Sequence, residues 1–364
     1  MENLEKARSP ETTSRSVNRE RGKVAAAEAV KFRRFLKINV DDFLECYPAE
    51  KIAKDKKYVE ATEKNIGKNS DSEVNLTQKL ANDFENFFVF GVVTGDWLGS
   101  KEVNGVTAAA GATSKYDDYK HRLDAFSVLH YESERDHKNY SIAIGTDVTI
   151  SGSHKTIMDK FERPHNESGL ELPFGFSKLD YYTNGKVHKE MPLTPRYIIG
   201  ISNYDVNDIN ETVATDHTGA KMFRLATAKN FINRFKVLSE MYAENQLYLA
   251  RLPEERETPE LKSAYNKLKI MDKKLGDALY AATKHLSLSK WPKRVHEEDY
   301  SDKNAFISAM EEAVREDSLS YFEENRAERL KKDAQDNSEP DDSHTDTYVQ
   351  IMDCIKELKG EKTK

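Results

Sequence analysis

The chain has 364 residues, 38% hydrophobic and 33% charged, with 56 basic and 63 acidic residues and a net charge of −7. That length allows two compact domains or one with long appendages, and the polar composition leaves part of the chain outside a packed core. The charge balance speaks against a strongly basic nucleic-acid binder, and no run approaches the roughly 18 apolar residues of a membrane helix. Cys46 and Cys354, at opposite ends of the chain, exclude a disulfide scaffold and a cysteine-built metal site.

No apolar secretory segment opens the sequence, so the expected compartment is cytoplasmic, with no membrane partner. Residues 1–22 are rich in Ser, Thr, Arg and Glu without an apolar period and read as a disordered basic tail. Residues 23–74 read as N-terminal helices, one over 23–36 and one over 41–66, with a linker at 65–73. Over residues 75–90, Leu76, Leu80, Phe84, Phe87 and Phe88 recur at spacings of three and four, which marks an amphipathic helix. Gly91, Gly95, Gly99 and Gly105 then read as turns. Residues 123–131 and 140–150 are strand-like, joined by a polar hairpin loop at 132–139. A helix is expected over 153–163, followed by short strands at 178–182 and 197–202, the second just after Pro195. Residues 75–202 thus read as an α/β core. The stretch 220–330 carries apolar residues at helical spacing throughout and forms a helical region. An acidic linker at 333–346 and a terminal helix with its tail at 347–364 complete the chain. The expected class is α+β, with no internal repeat.

The chemistry concentrates in residues 114–150. A hairpin loop centred between Arg135 and Asp136 sets Asp124 directly opposite Asp147. Opposed residues in an antiparallel pair sit ~4.5–5.5 Å apart at Cβ. Two carboxylates at that distance repel unless a proton or a cation lies between them. Mg²⁺ or Mn²⁺, held by two such oxygens and several waters, suits the place and can activate water for phosphodiester attack. The same aspartates also suit strand ends that cap turns or pair with Arg122 and Lys155. Asp117 and Asp118 read as a helix start or turn, with Asp118 the better ligand candidate. The sequence holds no HExxH pair, phosphate-binding loop or serine nucleophile elbow.

This pattern resembles the PD-(D/E)XK, or restriction-endonuclease-like, nuclease superfamily. The resemblance implies an αβββαβ core with flanking helices, led by the helix at 75–90, with 153–163 as crossover helix and 178–182 as the following strand. It implies Asp124 as the first aspartate, Asp147 as the acid of the acid-x-lysine motif and Glu85 as the helical acid. Metal ligands would be Asp124, Asp147, Asp118 and Glu85. Thr149 stands where that motif has lysine. Lys155, the better candidate, or Lys160 on the next helix has the reach to replace it. The segment also resembles a group of uncharacterised bacterial proteins. Two functions follow: a metal-dependent nuclease acting on DNA or RNA, or a catalytically inactive protein of the same fold that binds a protein partner through its helical C-terminal region.

Overall fold

The computed structural model describes residues 36–361, apart from 69–71, 95, 135, 163–171, 208, 210–227, 253–257, 289–294 and 337–344. The basic tail 1–22, nearly all of the helix read at 23–36, residues 220–227 and most of the acidic linker lie outside the described residues. The fold is α+β. A five-stranded mixed sheet has the order β1-β2-β3-β5-β4, with β1 Val106–Ala112, β2 Ala125–Glu132, β3 Asn139–Thr149, β4 Phe176–Thr183 and β5 His188–Gly200. Three neighbouring pairs are antiparallel, and β3 with β5 is parallel.

The hairpin register follows from its own side chains. Ala125 pairs with Thr146, and Glu132 with Asn139. Tyr131 stacks on its cross-strand partner Tyr140, with centroids 6.0 Å apart. Tyr140 Oη donates to Asp136 at 2.6 Å within the loop. Away from the loop, over 125–129 and 142–149, β2 and β3 are buried on both faces, as central strands are.

The helices are α1 Ala49–Lys68, α2 Ser72–Thr94, α3 Lys101–Asn104, α4 Lys115–His121, α5 His154–Glu162, α6 Ala228–Arg251, α7 Pro259–Leu288, α8 Lys303–Asp336 and α9 Thr347–Leu358. Buried side chains of α2, of one side of the sheet and of α6–α9 form one continuous core. A smaller cluster on the other side includes Leu36, Phe126, Val128 and Leu179.

Four readings of the sequence need correction. The glycine-punctuated stretch holds a whole strand, β1, written Val-Thr-Ala-Ala-Ala-Gly-Ala. Its small side chains have little strand propensity, but they let α2 pack closely against the sheet. The helix read at 41–66 is a 3₁₀ turn at Val40–Phe43 followed by α1, and of the linker read at 65–73 all but 69–71, which lie outside the described residues, belongs to α1 and α2. The strand that follows α5, β4, pairs among the described residues only with β5, and β5 is the strand that lies parallel to β3. The acidic stretch at 333–346 is not all linker: 333–336 continue α8, and Asp346 is a buried N-cap of α9 that accepts from Val349 N at 3.2 Å.

The end of the chain closes over β3. Thr347 Oγ1 donates to Ile150 O at 3.1 Å. Gly152 and Gly200 leave room for this approach: a Cβ at Gly200 would lie 2.6 Å from Thr347 Cγ2, and one at Gly152 would strike the Thr345 carbonyl.

Candidate functional site

Helix α4 sets the site. Ser114 caps it, its Oγ accepting from Asp117 N at 3.0 Å. Arg122 ends it in the left-handed conformation at φ 55°, with its N–H on the Asp117 and Asp118 carbonyls. A non-glycine residue at such a φ bears a steric cost, which this C-cap uses to turn the chain sharply into β2. Asp124 stands at that turn, one residue before β2, and its N–H donates to Thr146 O at 2.9 Å. This bond continues the β2–β3 register one residue beyond the Ala125–Thr146 pair, to the residue that precedes Asp147 on β3.

The two aspartates differ sharply in partners. Asp124 Oδ2 accepts from Val148 N at 2.6 Å. Asp147 is ion-paired through both oxygens, Oδ1 to Lys160 Nζ and Oδ2 to Arg196 Nη2. Lys160 also donates to Val148 O at 3.1 Å, and Arg196 Nη1 donates to Lys160 O at 3.1 Å. Burial opposes ionisation of Asp147, but these two cations outweigh it and hold the carboxyl below its ordinary range. Burial and then the Asp147 charge push Asp124 upward. Glu85 of α2 is pushed up to about 8, first by burial, then by Asp124 and Asp118. Asp118 is raised by burial and also feels Asp147, eased by Lys115 at 3.4 Å. Glu85 thus feels Asp124 and Asp118, and Asp118 and Asp124 feel Asp147, so these four acids, the acid cluster below, share one electrostatic neighbourhood.

The lysine assignment changes. Lys155 is exposed on α5, while Lys160, one and a half turns further on, reaches Asp147. Thr149 is buried, and its Oγ1 accepts from Ser151 N at 3.2 Å, a turn contact without charge. Sequence reasoning missed Arg196. The available signal was a charged residue leading the apolar run Tyr-Ile-Ile in a strand, since buried charges are rare unless paired.

Arg196 is placed by α6. Beyond Pro195 no strand among the described residues pairs with the outer edge of β5, and past the Arg196 N–H, which reaches Gly175 O, α6 satisfies that edge with side chains. Glu244 accepts from Ile198 N at 2.9 and 3.1 Å, and Glu240 from Gly200 N at 3.0 Å. Four residues of helix rise about 6 Å and two of strand about 6.6 Å, so carboxylates at i and i+4 match successive outward N–H groups. Tyr248 Oη lies 2.8 Å from Arg196 O and 2.5 Å from Glu244 Oε2. One hydroxyl proton faces two acceptors, and a protonated Glu244 resolves this. Burial pushes Glu244 up to about 8, in accord with that count.

A second cluster hangs from the other side of α4. Asp117, read from the sequence as a helix start, is fully buried. It accepts from Asp180 N at 2.7 Å, Tyr181 N at 3.1 Å and Ser114 Oγ at 2.7 Å. His121 Nε2 lies 2.7 Å from Asp180 Oδ2 and 3.9 Å from Asp117 Oδ1. Among the described residues, Asp117, His121 and Asp180 are the one group of three with ligand atoms all within 4.8 Å of one another. This spacing is enough to hold a metal ion. Its charge is already served, however: Lys178 lies 2.8 Å and Lys51 3.7 Å from Asp180 Oδ1. Burial raises Asp117 to about 6, countered by His121 and these hydrogen bonds.

The acid cluster does not offer three ligand atoms so close together. Two carboxylates with waters nevertheless suffice for Mg²⁺. By chemistry, these are an oxygen-rich acid cluster with a lysine at its edge and a hydrogen-bonded His–Asp fastening. The chain matches no family model, no curated protein and no solved structure. Among the described residues no helix is long and apolar enough to cross a membrane.

Proposed function

We propose that the protein is a metal-dependent phosphodiesterase of the nuclease type, working at the acid cluster. The observation that carries this reading is the placement of Asp124 beside Asp147 at one end of the central hairpin, with Glu85 and Asp118 close enough to raise one another's proton affinity. The meander β1-β2-β3, followed by α5 and, after the antiparallel β4, by β5 parallel to β3, supports in part the restriction-endonuclease-like core expected from the motif. Asp124 and Asp147 would hold Mg²⁺ or Mn²⁺, with Asp118 and Glu85 through water. The bound cation would supply Lewis-acid activation of water and of the phosphate. Lys160 takes the place expected for the motif lysine: its ammonium neutralises charge beside the phosphate. Glu85, held up to about 8, accepts a proton from water at neutral pH only once its neighbours' charges are compensated.

One observation favours the alternative, a catalytically inactive protein of this fold that binds a partner through α6–α9. Both oxygens of Asp147 are already paired, as in a structural salt bridge. The purified protein should cleave single- or double-stranded DNA, or RNA, with Mg²⁺ or Mn²⁺, and Asp124→Asn should abolish cleavage. Equal cleavage by that variant would expose a contaminant, and no cleavage of any substrate would favour the inactive reading.

A further inference from the structure

The chain is acidic as a whole, but one helix face is not. Residues 262–274 of α7 hold five lysines and a single acid, Asp272. Lys262, Lys269 and Lys273 are exposed, and spacings of seven and four put them on one face of the helix, over roughly 16 Å. Lys267 and Lys274 flank that row and are fixed on backbone oxygens. Lys267 Nζ donates to Leu193 O at 2.7 Å, and Lys274 Nζ to Asn104 O at 2.6 Å. Burial lowers the proton affinity of both, and the charges of Lys189 and Lys273 respectively lower it further. Among the described residues, Lys273 alone of the five has an ion-pair partner, Glu134 of the hairpin loop at 2.7 Å. Like charges four residues apart, such as Lys269 and Lys273, cost helix stability, so the row does not serve the fold.

We propose that this face of α7 is a docking surface for a single strand of nucleic acid. A phosphate backbone supplies the regularly spaced negative charge that the row lacks, and flexible lysine stems follow it without sequence preference. Half-buried tyrosine rings line the same ground: Lys269 Nζ lies 5.8 Å from the Tyr265 centroid, and Lys274 Nζ 5.6 Å from that of Tyr131. Ammonium groups beside aromatic rings are what an unpaired strand needs, its phosphates taking the charge and its open bases the rings. A duplex keeps its bases stacked and gains only the charge. Glu134 sits on Lys273 where a phosphate would, so the hairpin loop competes with the strand for that lysine. The surface includes no residue of the acid cluster and needs no metal.

The test uses the full chain in EDTA and follows the fluorescence anisotropy of a labelled oligothymidine of about 20 nucleotides. Binding should weaken steeply with salt. The triple variant Lys262→Glu, Lys269→Glu, Lys273→Glu should bind at least roughly tenfold more weakly. Its slope of log K against log salt should be smaller by about 2, since each contact to a single strand contributes about 0.7. The triple variant Lys54→Glu, Lys57→Glu, Lys64→Glu makes the same change of net charge at exposed positions of α1 and should weaken binding less than about threefold. Glu134→Gln should bind a few-fold more tightly. Equal loss in the two triple variants would reduce the effect to net charge and overturn the surface. Absence of binding at low salt would overturn it too. Poly-glutamate bound as tightly as the oligothymidine would replace the nucleic acid by an acidic protein partner.

Discussion

Helix α4 carries two acidic side chains in succession, and they meet opposite fates. Asp117 turns toward β4, where backbone N–H groups, a serine hydroxyl and the His121–Asp180 pair satisfy it. Asp118 stays half-buried on the other side, eased by Lys115 and Arg122 and opposed by the Asp147 charge, while Glu85 feels both Asp124 and Asp118. One cluster is complete in itself and fastens the helix to the sheet. The other stores repulsion that only a proton or a cation relieves. Burial alone does not tell a structural carboxylate from a functional one; the balance of donors around it does.

Substitutions should separate the two clusters by sign. The largest effect is expected at the fastening. Asp117→Ala leaves the Asp180 and Tyr181 N–H groups without their acceptor and should cost about 3–5 kcal/mol in urea unfolding. A cost under about 1 kcal/mol would mean that the fastening is dispensable.

The next effect concerns Mn²⁺ and pH. Glu85, at about 8, and the raised Asp124 hold protons that a bound cation must displace. Mn²⁺ should therefore raise Tm by several degrees at pH 8 and by little at pH 5.5. An equal shift at both values would place the ion elsewhere.

Glu244 supplies a smaller test of buried acids beyond the cluster. Its folded pKa, about 8, lies above the ordinary carboxylate range. The folded state therefore keeps a proton that the unfolded chain gives up. Its contribution is fully present below about pH 4.5 and is lost as pH rises through about 8. Glu244→Gln, always neutral, should fall within about 1 kcal/mol of the parent at pH 5 and become the more stable of the two at pH 9. A parallel pH profile for both proteins would show that Glu244 is ionised when folded.

The smallest effect is expected at Lys155, which is exposed on α5. Lys155→Ala should change stability by less than about 0.5 kcal/mol and leave Mn²⁺ binding untouched. A loss of binding would make Lys155, rather than Lys160, the lysine that serves the cluster.

The hairpin was legible in the sequence because a polar loop between strand-like segments leaves little choice of register, and a one-residue slip would have parted Asp124 from Asp147. Glu85 was expected from the motif pattern and Asp118 from its nearness to Asp124 in the sequence. Strand β1 was not, since Ala and Gly in succession carry no strand signal and owe their place to the packing of α2. Lys160 over Lys155 was a matter of helix phase, which the short α5 left open. Arg196 and the Asp117–His121–Asp180 fastening join residues far apart in the chain, and no local pattern announces such pairings. The buried Asp346 was hidden in an acidic stretch whose composition reads as solvated linker, yet Lys236, itself buried, lies 3.8 Å away to receive it.

The central claim, that the acid cluster stores repulsion for a cation to relieve, is tested most directly at Asp124. Urea unfolding of Asp124→Asn at pH 8 should show a metal-free protein at least as stable as the parent, because a repelling charge is gone, and no further stabilisation by Mn²⁺. A loss of stability comparable to that of Asp117→Ala, with the Mn²⁺ effect intact, would contradict it and make Asp124 one more structural carboxylate.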